Sequence, residues 1–367
     1  FITKLAPYDR YARGDAGAVP VVGGRVGDAV HRVSRPHVVG GRVFFHCTIQ
    51  ESASRQRHFV LVDGVALKAE DWIGHMSVGP AGDRVAYWTH PGARTGNEVR
   101  AESKTHYLAV ARLRGSGSWK ISRGTKHFSA PWRAPVWNAD GTRVYSSGLT
   151  RKGWVVLRVD RRERPVTDEH GGIASLAVGS PDALAYVATD PNGAAPELWF
   201  KGRRVGAHHP HVARPAVDAA GERVAFVAGR TVAVGDEKSP PGSFDFVLDI
   251  AFSPGGDRLA FVAVKGGRDA NGIVEGGEWF VVTRPTEGDV ALTEHGPFAE
   301  ARDLVWDAAG ERLAFATRDA DGWRVACGAA RSDAFDDVGR PHFLADGVGH
   351  GTREGRALWW RVLPLGP

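Results

Sequence analysis

The side chains best placed to do chemistry are histidines that fall shortly before apolar runs: His75, His127, His170, His208, His209, His211, His295 and His350. Imidazole nitrogens suit divalent transition metals, so convergence of several such residues would make a metal site. The densest group is His208-His209-Pro210-His211, and with His75 and His295 it forms the candidate ligand set. The competing reading leaves each as polar loop surface, because the spacing from each histidine to the following turn glycine varies. A second constellation is basic and aromatic: Lys126, Trp132 and Arg133, with Arg94 and Arg100 upstream. Interleaving of this kind can stack on bases while holding phosphates, or set a Trp beneath an Arg for packing alone. Asp269, Asn271 and Glu275 supply oxygen ligands in loose calcium-like order, but their spacing fits no EF-hand loop.

Other chemistries lack their sequence signatures. There is no Gly-x-Ser-x-Gly elbow, P-loop, dinucleotide fingerprint or His-Glu-x-x-His. Cys47 and Cys327 are too few for a disulfide framework or a thiolate zinc site, which leaves one bridge between them open. Apolar runs are only a handful of residues long, so no bilayer-spanning helix is expected and the chain reads as soluble. No basic-apolar-small leader opens the sequence at Phe1, and no compartment is legible there. Hydrophobic residues at 43%, with 12 Trp and 16 Phe, supply a core, while 47 Gly and 21 Pro favour short elements joined by tight turns. The net charge of +5 is uneven: residues 91–165 carry sixteen Lys or Arg against five Asp or Glu. That sector is either a face for an acidic partner, nucleic acid or other polyanion, or a solvated Arg-rich surface.

The elements that would position these residues repeat along the chain. A strand, a turn of the small/Asp-Gly type and a second apolar strand recur at 78–88, 136–145, 217–226, 252–261 and 305–315, with degenerate copies at 38–45, 178–186 and 343–347. The glycine supplies the positive φ of a tight turn, and the Arg-Val-Ala-Phe that follows continues as a strand. Third strands led by aromatics follow most copies, as in His58-Phe-Val-Leu-Val62 and Trp279-Phe-Val-Val282. Four short strands per unit at this period predict an all-β propeller.

The segment Ser253-Pro-Gly-Gly-Asp-Arg-Leu-Ala-Phe261 resembles the Ser-Pro-Asp-Gly signature of TolB-like and related WD-repeat-like propellers, and the resemblance extends over nearly the whole chain. Trp306-Asp307 precedes a turn, where a WD-type repeat closes a strand with that pair, so the TolB-like branch fits better. Eight copies predict eight four-stranded blades in a single domain over 1–367, with seven blades if one degenerate copy is an insertion. Residues 1–18 read as a tail. Residues 19–33 are expected as third and fourth strands and 348–367 as the earlier strands of one shared closing blade, which would leave no open edge. The resemblance also implies an extracytoplasmic, periplasmic or secreted setting.

In such a ring, loops before first strands and loops between second and third strands share one face. Insertions at 48–57, 89–105 and 264–277 elaborate it, and loops on a rigid scaffold carry binding. The expectation is a non-catalytic binding or scaffolding propeller that offers this face to a protein partner and needs no cofactor. The alternative is a metal-dependent enzyme: His209-Pro210-His211 resembles the His-Pro-His segment of oligogalacturonate lyases, propellers that hold manganese on channel histidines. In this chain the segment lies mid-sequence, and the family's other ligands and its catalytic basic residue have no match.

Overall fold

The computed structural model describes residues 21–22, 25–26, 32–33, 37–52, 55–68, 70, 72–90, 106–115, 117–127, 134–149, 155–159, 167, 170–180, 183–189, 195–238, 242–270, 273–288, 291–354 and 357–365. Every regular element among them is a β-strand, and none is a helix long and apolar enough to cross a membrane. The chain divides into two compact units, 3–173 with 356–358 and 174–355 with 359–367.

In the first unit, Arg42–Ser52, Arg55–Val62 and Val65–Ala66 form an antiparallel sheet whose opening position is shared by Arg32–Val33 and His37–Val39. Ile73–Val78, Arg84–Thr89, His106–Leu113 and Trp119–His127 make a four-stranded sheet, and Val136–Trp137, Val144–Leu149 and Val155–Val159 a three-stranded one. Along the chain there follow Gly172–Val178, whose residues from Ala174 on open the second unit, with Leu184–Thr189, Glu197–Phe200 and Arg203–Val205, then Val212–Val217, Val224–Ala228 and Thr231–Val234. Two further four-stranded sheets run Phe246–Phe252, Arg258–Lys265, Glu278–Pro285, Thr293–Phe298 and Glu300–Trp306, Leu313–Asp319, Gly322–Cys327, Ala330–Arg331. The last joins Asp337–Val338, His342–Leu344, Gly347–Glu354 and Ala357–Pro364.

Each sequence copy of the turn lies at the hairpin between the first and second strands of a sheet. In the full copies the first turn residue and the Arg five places on close the hairpin, for example Asp218 N–H to Arg223 O at 3.2 Å and Ser253 N–H to Arg258 O at 2.9 Å. The opening side chain then accepts the backbone N–H groups at the far end. Asp218 Oδ1 takes Glu222 and Arg223 at 2.7 and 3.1 Å, Asp307 Oδ1 takes Glu311 and Arg312 at 2.8 and 3.2 Å, and Asn138 Oδ1 takes Arg143 at 2.9 Å. Glycine is required at the fourth place: Gly82 has φ 69°, and a Cβ there would lie 2.3 Å from Val39 O of the preceding turn.

The turns are also linked one to the next. Arg84 Nη1 donates to Gly141 O at 2.6 Å and Arg223 Nη1 to Gly256 O at 2.7 Å, so each guanidinium reaches the turn glycine of the following sheet. Tryptophans reach backwards: Trp137 Nε1 donates to Ser77 O at 3.1 Å and Trp306 Nε1 to Ala251 O at 3.2 Å.

Second strands read as continuous apolar runs because both of their faces are covered. Along Arg258–Lys265, Ala260, Val262 and Val264 join a core with Trp306 and Phe315, while Leu259, Phe261 and Ala263 join one with Ala225 and Val227. Val224, Phe226 and Ala228 turn instead to Ala185 and Val187, so consecutive sheets of this unit stack face to face. In the first unit Val85 and Tyr87 meet Phe44 and Val60, while Ala86 and Trp88 meet Trp137 and Val144.

First strands carry bulges, at Ile73/Met76, Ala213/Ala216, Val247/Asp249 and Arg302/Val305. Arg214 and Asp303, inside two of these, have φ of 47° and 60°. The bulges also link sheets: Arg214 donates to Leu248 O, and Arg302 Nη2 to Asp337 Oδ1 at 2.6 Å and Val338 O at 2.9 Å.

The structure corrects the reading of both ends. Arg32–Val33, expected in a closing blade, pairs with Cys47 and Thr48 in the first sheet. Val21–Val22 pairs with Arg25–Val26 as a local hairpin. At the other end Ala357–Pro364, expected among the earlier strands of the closing blade, is the third strand of the last sheet, beside Gly347–Glu354. Glycines interrupt the apolar pattern of that second strand, and at Gly349 a Cβ would lie 2.4 Å from the Trp360 ring.

If the opening acceptor holds each hairpin, Asp307→Ala leaves two N–H groups and the Arg312 guanidinium without it. The expected loss is about 2 kcal/mol in denaturant-midpoint measurements. Asp307→Asn, which restores the amide oxygen that Asn138 supplies in its own turn, is expected to recover most of it.

Candidate functional site

The histidines and basic residues singled out by the sequence are placed as follows. His208 and His209 come together with ring centroids 4.1 Å apart, and both direct Nε2 at the carbonyl oxygen of Glu237, each at 2.9 Å. A carbonyl only accepts, so both rings carry their proton on Nε2 in this arrangement. His211 is exposed at the mouth of Val212–Val217. The Glu237 side chain receives Arg284, whose Nη2 lies 2.9 Å from Oε2 and whose side chain is 1% exposed. His75 is exposed within the Ile73/Met76 bulge. Among the described residues no group of three or more His, Cys, Asp or Glu side chains is arranged to hold a metal. In the insertion hairpin Arg268–Ala270/Ile273–Glu275, the Glu275 carboxylate is engaged by Arg268 at 2.9 Å.

Of the basic and aromatic candidates, Arg94, Arg100, Trp132 and Arg133 lie outside the described residues. Lys126 pairs by its backbone with Tyr107 on Trp119–His127. In the same sheet the register sets Arg84, Arg112 and Lys120 side by side across three strands. Like charges opposite one another weaken a sheet slightly and keep such a row in water.

His295 leads to a different place. It lies on Thr293–Phe298, the outermost strand of its sheet, exposed along nearly its whole length. Beside it a cleft of about 640 Å3 opens within the second unit, between this sheet and the next. Phe298, Trp306, Leu313 and Phe315 give the cleft apolar walls, and Arg258, Arg312 and Arg331 give it positive charge. Burial, and then the Arg258 charge, hold the His295 imidazole below its ordinary pKa.

Arg258 is the repeat arginine of its turn, the counterpart of Arg84 and Arg223, but its link to the next turn is slack. Its Nη1 lies 3.5 Å from Gly310 O and 3.4 Å from Glu311 O. The guanidinium instead sits over the Trp306 ring, 4.9 Å from the centroid. Arg331 lies in the same manner over Phe298 at 5.7 Å, and its Asp319 carboxylate is 4.0 Å away. Arg312 is committed to Asp307 at 2.9 Å, and Glu294 to Lys265 at 2.8 Å. Two aromatic-backed guanidinium groups therefore face the cleft with weak internal pairing, an arrangement suited to holding an anion against an apolar wall. Cys327 also lines it, but burial above all raises its thiol pKa, so it stays protonated at neutral pH. Cys327 and Cys47 are both free thiols.

A polar cluster with no local signature in the sequence lies inside the first unit. His46 Nε2 and His58 Nδ1 are 3.1 Å apart, Thr48 Oγ1 is 3.3 Å from the same His58 nitrogen, and Thr89 Oγ1 donates to Glu70 Oε2 at 3.4 Å. His58 and Glu70 also exchange backbone hydrogen bonds at 2.9 and 2.7 Å. His90 and His106 lie close by each other, with ring centroids 5.2 Å apart. Burial, with the His58 charge second, lowers the His46 pKa to about 4.

No family model matches the sequence, and no curated protein matches it. Among solved structures, a eukaryotic initiation factor aligns over 100% of both chains with TM-score 0.54 at 11% identity. TolB from Acinetobacter baumannii aligns over 90% of this chain and 65% of its own, with TM-score 0.39 at 14% identity. The β-propeller domain of the Trilobed protease from Pyrococcus furiosus aligns over 91% and 95%, with TM-score 0.49 at 11% identity. At these identities the likeness is one of fold.

The His46 shift sets an acid limit on stability. An unfolded histidine titrates near 6.5 and His46 near 4, so its contribution is complete above pH 6.5. As pH falls from 6.5 to 4 the unfolded chain takes the proton and the folded chain does not, and roughly 3 kcal/mol is lost. Thermal melting between pH 7 and pH 4 should show this fall, and His46→Gln should flatten it. With the turn motifs and the sheets they open together, the fold is that of a β-propeller.

Proposed function

We propose that the chain is a non-catalytic binding propeller of eight blades, one for each turn motif, and that a protein partner docks at the cleft beside His295. The observation that carries this reading is the departure of Arg258 from the repeat. Arg84 and Arg223 spend their guanidinium groups on the next turn at 2.6 and 2.7 Å, whereas Arg258 rests on Trp306 at the cleft. A position that breaks the structural rule of its own repeat while lining a cavity is where selection for something other than folding shows. The cleft volume lies within the range of ligand sites on rigid scaffolds. Within the same unit the hairpin of Arg268–Ala270 with Ile273–Glu275 extends the surface available to a partner. This reading calls for no cofactor.

The test is photo-crosslinking in native lysate with a crosslinking residue introduced at Ala329, on the cleft rim. A discrete protein adduct is expected, weakened at least several-fold by Arg258→Glu. An adduct pattern that Arg258→Glu leaves unchanged, or the absence of any adduct, contradicts the proposal.

A further inference from the structure

We infer that the cleft recognises a carboxylate-bearing side chain on an extended peptide laid along Thr293–Phe298; this rests on the binding function proposed above.

Three independent features of the cleft converge on that ligand. The first is charge. Among the described residues Arg258 has no carboxylate partner, and its planar fork is held by stacking on Trp306. A guanidinium whose only hydrogen bonds among the described residues are the long ones from Nη1 to Gly310 O and Glu311 O, at 3.5 and 3.4 Å, favours a carboxylate, which it can hold through two parallel hydrogen bonds. The Arg331 guanidinium adds a second positive group over Phe298. Of the two carboxylates lining the cleft, Glu294 is neutralised by Lys265 at 2.8 Å, and only Glu311 opposes the two arginines.

The second feature is the strand edge. Thr293–Phe298 ends the sheet order, paired on one side only, with Glu278–Pro285. The five residues from Thr293 to Pro297 are exposed. An exposed edge of this kind offers backbone groups to an incoming extended chain, and side chains of that chain then alternate between the cleft and solvent. The third is the apolar wall. Phe298 and Phe315, 7% and 6% exposed, flank the same space, so a carboxylate on an aliphatic stem meets both charge and hydrocarbon. A free small anion would use the arginines and leave the edge and the wall unengaged.

The test uses the full chain and a fluorescein-labelled hexapeptide of alternating Glu and Thr, compared by anisotropy with the same peptide carrying Gln for Glu. The Glu peptide is expected to bind about ten-fold more tightly, as a charge-assisted pair should allow. Arg258→Gln is expected to abolish the difference, Arg331→Gln to reduce it, and Arg204→Gln, on the strand Arg203–Val205 that does not line the cleft, to leave it intact. Melting temperature serves as the fold check for each variant. Equal affinity for the two peptides, or a difference that survives Arg258→Gln, overturns the inference. So does competition by free succinate as effective as that by the peptide, which would mark a small-anion site. An Arg258-dependent crosslinked partner together with equal peptide affinities removes only the carboxylate specificity, whereas the absence of any partner removes the binding function itself.

Discussion

The structure depends on a six-residue turn that satisfies its own backbone and then fastens the next one. An oxygen on the opening residue, Asn138, Asp218, Ser253 or Asp307, accepts N–H groups from the far end of the turn. The glycine between them supplies a left-handed conformation and leaves room for the neighbouring turn. Gly221, for example, would bring a Cβ to 2.3 Å from Ser180 Oγ, and Gly310 to 3.1 Å from Ser253 Cβ. With the turns fixed at this spacing, the second strands must lie between two sheets, which is why Leu259 and Ala260 face different cores. Separate small hairpins would be marginal in water; stacked in series they bury both faces of each middle strand.

The same arrangement explains why one place differs from the rest. The forward arginine link and the backward tryptophan link each tie one sheet to its neighbour. Between Phe246–Phe298 and Glu300–Arg331 the backward link, Trp306 to Ala251, is present at 3.2 Å, while the forward link is drawn out to 3.5 Å. The cleft opens there, and the arginine that would have been structural becomes part of its lining. The outermost strand adds an unpaired edge to the same rim. Scaffold and site are therefore one motif used in two ways, which suits a protein that binds through a rigid frame.

Much of the scaffold was legible in the sequence, because tight turns and doubly buried strands leave strong local signals. Gly-Asp-Arg-Leu-Ala-Phe announces both a turn and a middle strand, and all eight copies sit at such hairpins. Strands were less legible where they are broken, as in the first strand Arg32–Val33 with His37–Val39, or where glycines accommodate a ring, as in the second strand Gly347–Glu354 against Trp360. The site was legible only in part. His295 could be picked out as a loop-side histidine, but Arg258 follows its turn Gly-Asp much as Arg84 does, and only distances separate slack from tight. The polar group of His46, His58, Glu70 and Thr89 is assembled by register across two sheets from residues far apart in the chain, so no local spacing betrays it.

The most direct measurement is a parallel arginine-to-methionine series at Arg84, Arg223 and Arg258, read as change in stability. Methionine keeps the aliphatic stem and removes the donor. If the tight links carry the frame and the slack one is reserved for a ligand, Arg84→Met and Arg223→Met should each cost about 1.5–3 kcal/mol, and Arg258→Met about 0.5 kcal/mol or less. Equal losses at all three positions would show that Arg258 is one more structural tether, and would contradict the account.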